Sequence, residues 1–296
     1  MKVIVTGGAG FLGTALVKDL KLHGYEVCVV DRKGSSNTIK LDMRNIGTLP
    51  EIVTEHDFDV WYQLAWEGLA GEPMVDYHTQ IANVEWTLNA LEVAKRMGCK
   101  KFIGAGSISQ CEMSLPQVES KCDKHCYYKV ANIACQYMGR TLAENLGIDF
   151  IWPIITNVYG VGENSPRLIN SMIRNLQAGK HQSLSEGNQF YDFIYVTDAA
   201  KAFRLIGEKG KHGRKYVIAQ GDAKPLKEFL TMVRDVVAPE AELGFGELKF
   251  NGFYLQKECY DIKELVEDTG FEPDVTFKQG IKMTTEWIAE KAYINT

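Results

Sequence analysis

The segment HCYYKVAN, His125 to Asn132, gathers two phenols, an imidazole and a thiol in one short run. A phenol, with a pKa of about 10, moves protons near neutral pH only when something stabilises its anion, and a nearby cation is the usual means. On a helix the residue four positions on returns to the same face, whereas the next one points about 100° away. Four residues beyond Tyr127 and Tyr128 stand Ala131 and Asn132, both uncharged, while Lys129 follows Tyr128 directly. Tyr128 and Asn132 therefore make a phenol facing a neutral amide, and Lys129 is out of phase with both.

A second constellation lies at the N-terminus. VTGGAGFLG sets Gly7, Gly10 and Gly13 at G-x-x-G-x-x-G spacing between an apolar strand and an amphipathic helix. Glycines there let the backbone turn tightly and approach a pyrophosphate, whose charge sits at the positive end of the helix. Asp31 closes the second apolar run, YEVCVVDR. Its carboxylate suits both ribose hydroxyls and repels a 2′-phosphate, which favours NAD. Arg32 beside it would instead hold that phosphate, so NADP stays open.

The elements needed to hold these residues follow from periodicity. KVIVTGG, YEVCVVDR, DVWYQLAW, KKFIGAGS and IDFIWPIITNVYG read as strands, the continuous apolar runs suiting a parallel sheet buried on both faces. Helices follow in FLGTALVKDLKLHG, DYHTQIANVEWTLNALEVAKRMGC and YYKVANIACQYMGRTLAENLG. Alternating strand and helix predict an α/β fold, a doubly wound parallel sheet of the Rossmann type with a small mixed α/β C-terminal cap. Residues 1–160 form the dinucleotide-binding domain, which also receives strands from about 190–220. Residues 161–296 form mainly the cap, interleaved with it.

Composition limits the function classes. The 296 residues are 45% hydrophobic and 24% charged, ordinary for a globular protein. A formal net charge of −5 without a basic run argues against nucleic acid. MKVIVTGGAG reads as a first strand, not a signal peptide, and no apolar stretch reaches membrane-spanning length, so a cytoplasmic location is expected. The seven Cys are an odd number, expected as free thiols. CDKHC, Cys122 to Cys126, lacks the second paired unit of a zinc site, so no metal is expected.

With these segments in place, the chain resembles the extended short-chain dehydrogenases/reductases of the NAD-dependent epimerase/dehydratase family, which act mostly on nucleotide-activated sugars. The likeness runs nearly the whole length. TGGAGFLG matches the family's TGxxGxxG loop, which assigns Phe11 and Leu12 to the cofactor together with the three glycines. LDMRN matches its D-[LMV] motif, so Asp42 and Met43 would contact the adenine. YQLAWEG stands at the HLAA position, placing Leu64, Ala65 and Trp66 beside the cofactor. IANVEWT matches NxxGT with Asn83 as the structural Asn, and FYDFIYVTDAA matches RDFIYVDD.

The resemblance also implies a proton relay. GAGSIS puts Ser107 at the catalytic Ser, and YYKVANIACQ against YGxSKxxxE puts Tyr128 at the catalytic Tyr with Asn132 where the family has Lys. Three readings follow: a differently tuned redox enzyme, an enzyme using another base such as His125 or Cys126, and a non-catalytic NAD-binding sensor or scaffold. ITNVYGVG implies Asn157 as a substrate contact. Ile154 and Tyr191 replace two family arginines, leaving Arg167 or Arg174 as candidate phosphate grips. Trp66 could wall a sugar pocket or pack the cap. The family's habit of pairing two long helices per subunit implies a homodimer.

Overall fold

The computed structural model describes residues 1–34 and 37–294. The first strands are β1 (Lys2–Thr6), β2 (Glu26–Asp31), β3 (Ile39–Lys40), β4 (Val60–Gln63) and β5 (Lys101–Ile103). They are followed by β6 (Gly106–Ser107), β7 (Asp149–Ile151), β8 (Ile154–Ile155) and β9 (Asn157–Tyr159). Among them run α1 (Phe11–Leu22), α2 (Leu49–Ile52), α3 (Tyr77–Arg96), α4 (Val118–Lys121) and α5 (Cys126–Leu146).

The chain divides into two compact units. The first comprises Met1–Ile155, Ala200–Ile218 and Lys263–Phe271, and the second the intervening and C-terminal segments. In the first unit, six parallel strands stand in the order β3-β2-β1-β4-β5-β7. This is the doubly wound sheet expected from the alternating pattern. The strand order reverses between β1 and β4, and in such sheets ligands bind in the crevice at the carboxyl ends of the strands flanking that point. Val3, Ile4 and Val5 of β1 have no exposed surface, which is why the strand is apolar at successive positions instead of alternating.

Local chemistry sets the helix ends. Asp76 caps α3, accepting from His78 N at 3.3 Å and Thr79 N at 3.0 Å. Gly147 ends α5 in the left-handed region (φ 62°), which lets Ile148 N reach Ala143 O at 3.1 Å.

The sequence pattern predicts one strand over KKFIGAGS and another over IDFIWPIITNVYG, but both are broken. A stack of rings crosses the sheet from Trp61 to Phe102 to Phe150 to Trp152, with centroids 6.3, 5.8 and 6.0 Å apart. The Trp152 indole lies where a side chain at position 104 would go: a Cβ there would sit 2.0 Å from it. Pro153 has no N–H to donate, and its carbonyl instead accepts from Gly106 N at 3.0 Å. The chain consequently steps out of the six-stranded sheet, and β6 pairs with β8, which pairs with Val217–Ile218. Ser107 is carried at the end of this small sheet.

In the second unit β9 pairs in parallel with Phe193–Tyr195. Tyr159, Phe193, Phe229 and Phe277 form an aromatic core, the closest ring centroids 4.8 Å apart. Asp192 is fully buried and accepts from Gln220 N at 2.6 Å and Asp222 N at 2.9 Å. Burial pushes its carboxyl up to about 6 against those hydrogen bonds.

The ring stack yields a test. Phe150→Ala should lower the urea-derived unfolding free energy by about 3–5 kcal/mol, the usual cost of removing a fully packed Phe. A loss below ~1 kcal/mol would show that the stack contributes little.

Candidate functional site

The glycine loop joins β1 to α1 through backbone contacts that leave no room for side chains. Gly7 has φ of 70°, and a Cβ on it would lie 2.7 Å from Ala65 N and 2.8 Å from Leu64 C. A Cβ on Gly13 would lie 2.1 Å from Gly7 O. Gly10 N donates to Gly7 O at 3.0 Å, and Gly10 begins α1 without a side-chain cap, so the first N–H groups of the helix keep their hydrogen-bonding capacity. Phe11 and Leu12, in its first turn, are half-buried.

Around this loop stand the other residues assigned to the cofactor. Asp31, at the end of β2, accepts from Ala9 N at 3.0 Å and from Lys33 N at 2.9 Å, tying the loop to the second strand. Arg32 is exposed and faces Glu67 at 3.4 Å. Asp42 pairs with Arg44 through contacts of 2.9 and 2.8 Å, and the guanidinium holds its carboxyl down at about 2. Met43, next to it, is half-buried.

Leu64, Ala65 and Trp66 leave β4 directly against Gly7. Leu64 N donates to Thr6 O at 3.2 Å, and the Ala65 carbonyl accepts from Gln63 Nε2 at 3.2 Å. Asn83, on α3, is buried and clamps this loop by donating to Glu67 O (2.8 Å) and accepting from Glu67 N (2.9 Å). The Trp66 indole donates to Gln80 Oε1 at 3.1 Å and meets the Tyr128 ring edge-on, centroids 5.8 Å apart and planes at 80°.

Tyr128 lies near the start of α5, half-buried. That helix packs on β6 and on the 3₁₀ helix Ile108–Ser114, which Ser107 caps. Ser107 Oγ accepts from Ser109 N at 3.3 Å, and Gln110 Oε1 accepts from Ser107 N at 3.4 Å. Gln110 also accepts from Trp152 Nε1 at 3.3 Å and donates to Gln136 on α5. One glutamine thus ties the Ser107 turn, the ring stack and the Tyr128 helix together. The S-x-x-Q spacing of a capping box was its visible signal.

Asn132 is 1% exposed. Its Nδ2 donates back to Tyr128 O at 2.9 Å, and its buried Oδ1 has no partner, an arrangement that costs about 1–3 kcal/mol. Lys129 points elsewhere, to Glu112 on the 3₁₀ helix at 2.6 Å. Glu112 was not singled out in the sequence, because nothing in linear spacing links it to a lysine on the next long helix.

The assigned substrate residues belong to the second unit. Asn157 Nδ2 donates to Asp192 O at 3.1 Å. Tyr191 stacks on Phe193, centroids 5.6 Å apart. Arg167 is exposed, with its Nε 3.6 Å from the buried Glu163 carboxylate, and Arg174 donates to Glu163 O at 3.2 Å. Among the described residues no cluster of three or more His, Cys, Asp and Glu could hold a metal ion, and no helix is long and apolar enough to cross a membrane.

The sheet order, its reversal beside β1 and the glycine loop there define a dinucleotide-binding protein of the Rossmann class. More narrowly, the pattern of the NAD dependent epimerase/dehydratase family matches residues 3–219, and the chain belongs to that family. It is 26% identical over 320 residues to UDP-N-acetyl-alpha-D-glucosaminuronate decarboxylase of Bacillus cytotoxicus, covering 98% of each chain. It is 24% identical over 329 residues to dTDP-glucose 4,6-dehydratase of Haemophilus influenzae, with 97% of each covered. The structure superposes with a TM-score of 0.78 on the Bordetella bronchiseptica enzyme WbmF in complex with NAD+ and UDP, at 21% identity, covering 99% of this chain and 93% of the other.

NAD is the cofactor of this family. The residues present fit it: α1 begins with no side chain capping its first N–H groups, where a pyrophosphate would be held, and Asp31 stands at the end of β2. Gly13→Ala should raise the NAD dissociation constant roughly tenfold or more, about 1.4 kcal/mol per tenfold, because the added Cβ collides with the Gly7 carbonyl. Gly47→Ala, whose Cβ meets nothing within 4 Å, is the matched control. Equal NAD titrations for the two variants would count against the cradle.

Proposed function

We propose that the chain is an NAD-dependent enzyme of the epimerase, dehydratase or 4-ketoreductase type acting on a nucleotide sugar. The observation that carries this reading is the placement of Tyr128: its ring is braced by Trp66, at the start of a helix packed on the strand and turn of Ser107. The family membership and the two sugar-nucleotide relatives support it.

Bound NAD supplies a hydride acceptor and donor for one sugar carbon. Ser107 Oγ hydrogen-bonds the oxygen on that carbon and orients it. Tyr128 takes the hydroxyl proton as the carbonyl forms and returns it in the reverse direction. Asn132, standing where the family has Lys, gives this phenol a neutral neighbour, so proton transfer favours more alkaline conditions. Lys129 does not restore the charge, because its ammonium is committed to Glu112. Asn157, Arg167 and Tyr191 serve the substrate, the guanidinium suiting a phosphate. Arg32, already facing Glu67, and Asp31 together favour NAD over NADP.

The same reading carries a cytoplasmic setting and a homodimer. Tyr77 and Ile81 on α3, with Tyr127, Val130, Tyr137 and Met138 on α5, are exposed, and the two helices pack side by side. Apolar side chains grouped on adjacent helices mark an association surface.

Mass spectrometry of the purified protein for bound nucleotide, followed by absorbance at the NADH band with a panel of nucleotide sugars, tests the function. Turnover of one sugar supports it, and bound NAD that no sugar reduces sinks it. Asn132→Lys should move the optimum of kcat downward by roughly 1–3 pH units, since a cation one turn away favours phenolate. An unchanged or raised optimum would remove Asn132 from the relay. Light scattering should give twice the chain mass, and the double change Ile81→Glu with Tyr137→Glu should give the monomer.

A further inference from the structure

Gln110 is 7% exposed, so both ends of its amide need partners inside the fold. Two groups that can only donate, Ser107 N–H and the Trp152 indole N–H, reach its Oε1 at 3.4 and 3.3 Å. They fix which way the amide faces, and its Nε2 turns to α5, donating to Gln136 Oε1 at 2.5 Å. Little room is left for another arrangement. A Cβ on Gly106 would lie 2.8 Å from Gln110 Oε1 and 2.5 Å from Trp152 Nε1. Tyr128, Asn132 and Gln136 follow one another at four-residue spacing, so they share one row of α5. A capping box ordinarily serves the first turn of its own helix. Here the same side chain also fastens the Ser107 turn to the row that carries Tyr128. The turn settles the role of the Ser107 hydroxyl too: Oγ accepts from Ser109 N at 3.3 Å, which leaves its own hydrogen to donate.

We propose that Gln110 is a positioning residue for the proton transfer, acting through its bond to Gln136. It holds the Ser107 turn at a fixed height along α5, so that Ser107 and Tyr128 address the same oxygen of the sugar. The role rests on the reading of the chain as a nucleotide-sugar enzyme. Gln110 acts through Ser107 and not on the sugar itself. Displacing reacting groups by about 1 Å costs up to ~100-fold in rate. An alignment that matters only as the transition state forms is lost from kcat, with KM little changed.

The test loads the unaltered protein with NAD and assays it with UDP-glucose, dTDP-glucose and UDP-glucuronate. The variants are then assayed with whichever of these turns over. Gln110→Met and Gln136→Leu should each lower kcat about 10–100-fold, with KM and the NAD dissociation constant within about twofold. The pH of maximal kcat should stay in place, because no charge beside the Tyr128 phenol has changed. Gln136→Glu still accepts the Gln110 hydrogen and should recover most of the lost rate. Gln136 is half-buried, so its variants carry the test should Gln110→Met unfold. Hydrogen exchange at amides 107–110 should quicken in Gln136→Leu. An unchanged kcat or unchanged exchange in Gln136→Leu overturns the proposal. So does a loss of bound NAD in that variant, or a Gln136→Glu variant as slow as Gln136→Leu. Turnover of none of the three sugars by the unaltered protein sinks the enzyme reading and this role with it. Turnover that survives both Gln110→Met and Gln136→Leu sinks this role alone.

Discussion

Three chain segments in the first unit meet through backbone alone. Gly13 of α1 lies against the carbonyl of Gly7, and Gly7 lies against the Leu64–Ala65 peptide that leaves β4. Asp31 then fastens the loop to β2 through Ala9 N. With no side chain between them, β1, α1 and the β4 loop converge tightly at the point where the strand order reverses. Helix N–H groups there have no partner in their own helix, and that is what an anion requires. A protein close-packed elsewhere by side chains is here close-packed by their absence.

The helix carrying Tyr128 is governed by a different requirement, the satisfaction of polar groups taken out of water. Lys129 is buried on the same helix and finds Glu112. Gln110 spends its amide on Ser107, Trp152 and Gln136. Asn132 folds back onto the Tyr128 carbonyl with its oxygen unmatched. Most buried polar groups in native proteins find a partner, and an acceptor without one carries a desolvation cost. The unmatched oxygen belongs to the residue one helical turn beyond Tyr128.

The second unit makes its own core from rings, with Asp192 as a buried hinge pin that gathers the N–H groups of Gln220 and Asp222. Its carboxylate is costly to bury, and the backbone donors offset that cost. Arg167 and Arg174 both gather on Glu163, so the first two guanidinium groups that follow Asn157 in sequence have a common anchor within their own loop and helix.

Much of this was legible in residue order, because helix and strand periods, capping residues and glycine spacing act over a few positions. The parallel sheet, the strand-loop-helix at Gly7–Gly13, Asp31 at the end of β2, and the one-turn offset of Tyr128 from Asn132 are all local facts of that kind. What residue order could not convey is set by contacts between distant positions. Trp152 and Pro153 break two expected strands and carry Ser107 into a separate small sheet, since the indole needs the volume over Gly104. Glu112 captures Lys129, Gln110 joins β6 to α5, and Trp66 comes to rest on Tyr128, each pairing residues whose separation along the chain has no period. Sequence alone determined which chemical groups were available and which faces they occupied; tertiary packing decided which of them meet, because a buried polar group left without a partner is costly and the fold alone sets which partners come within reach.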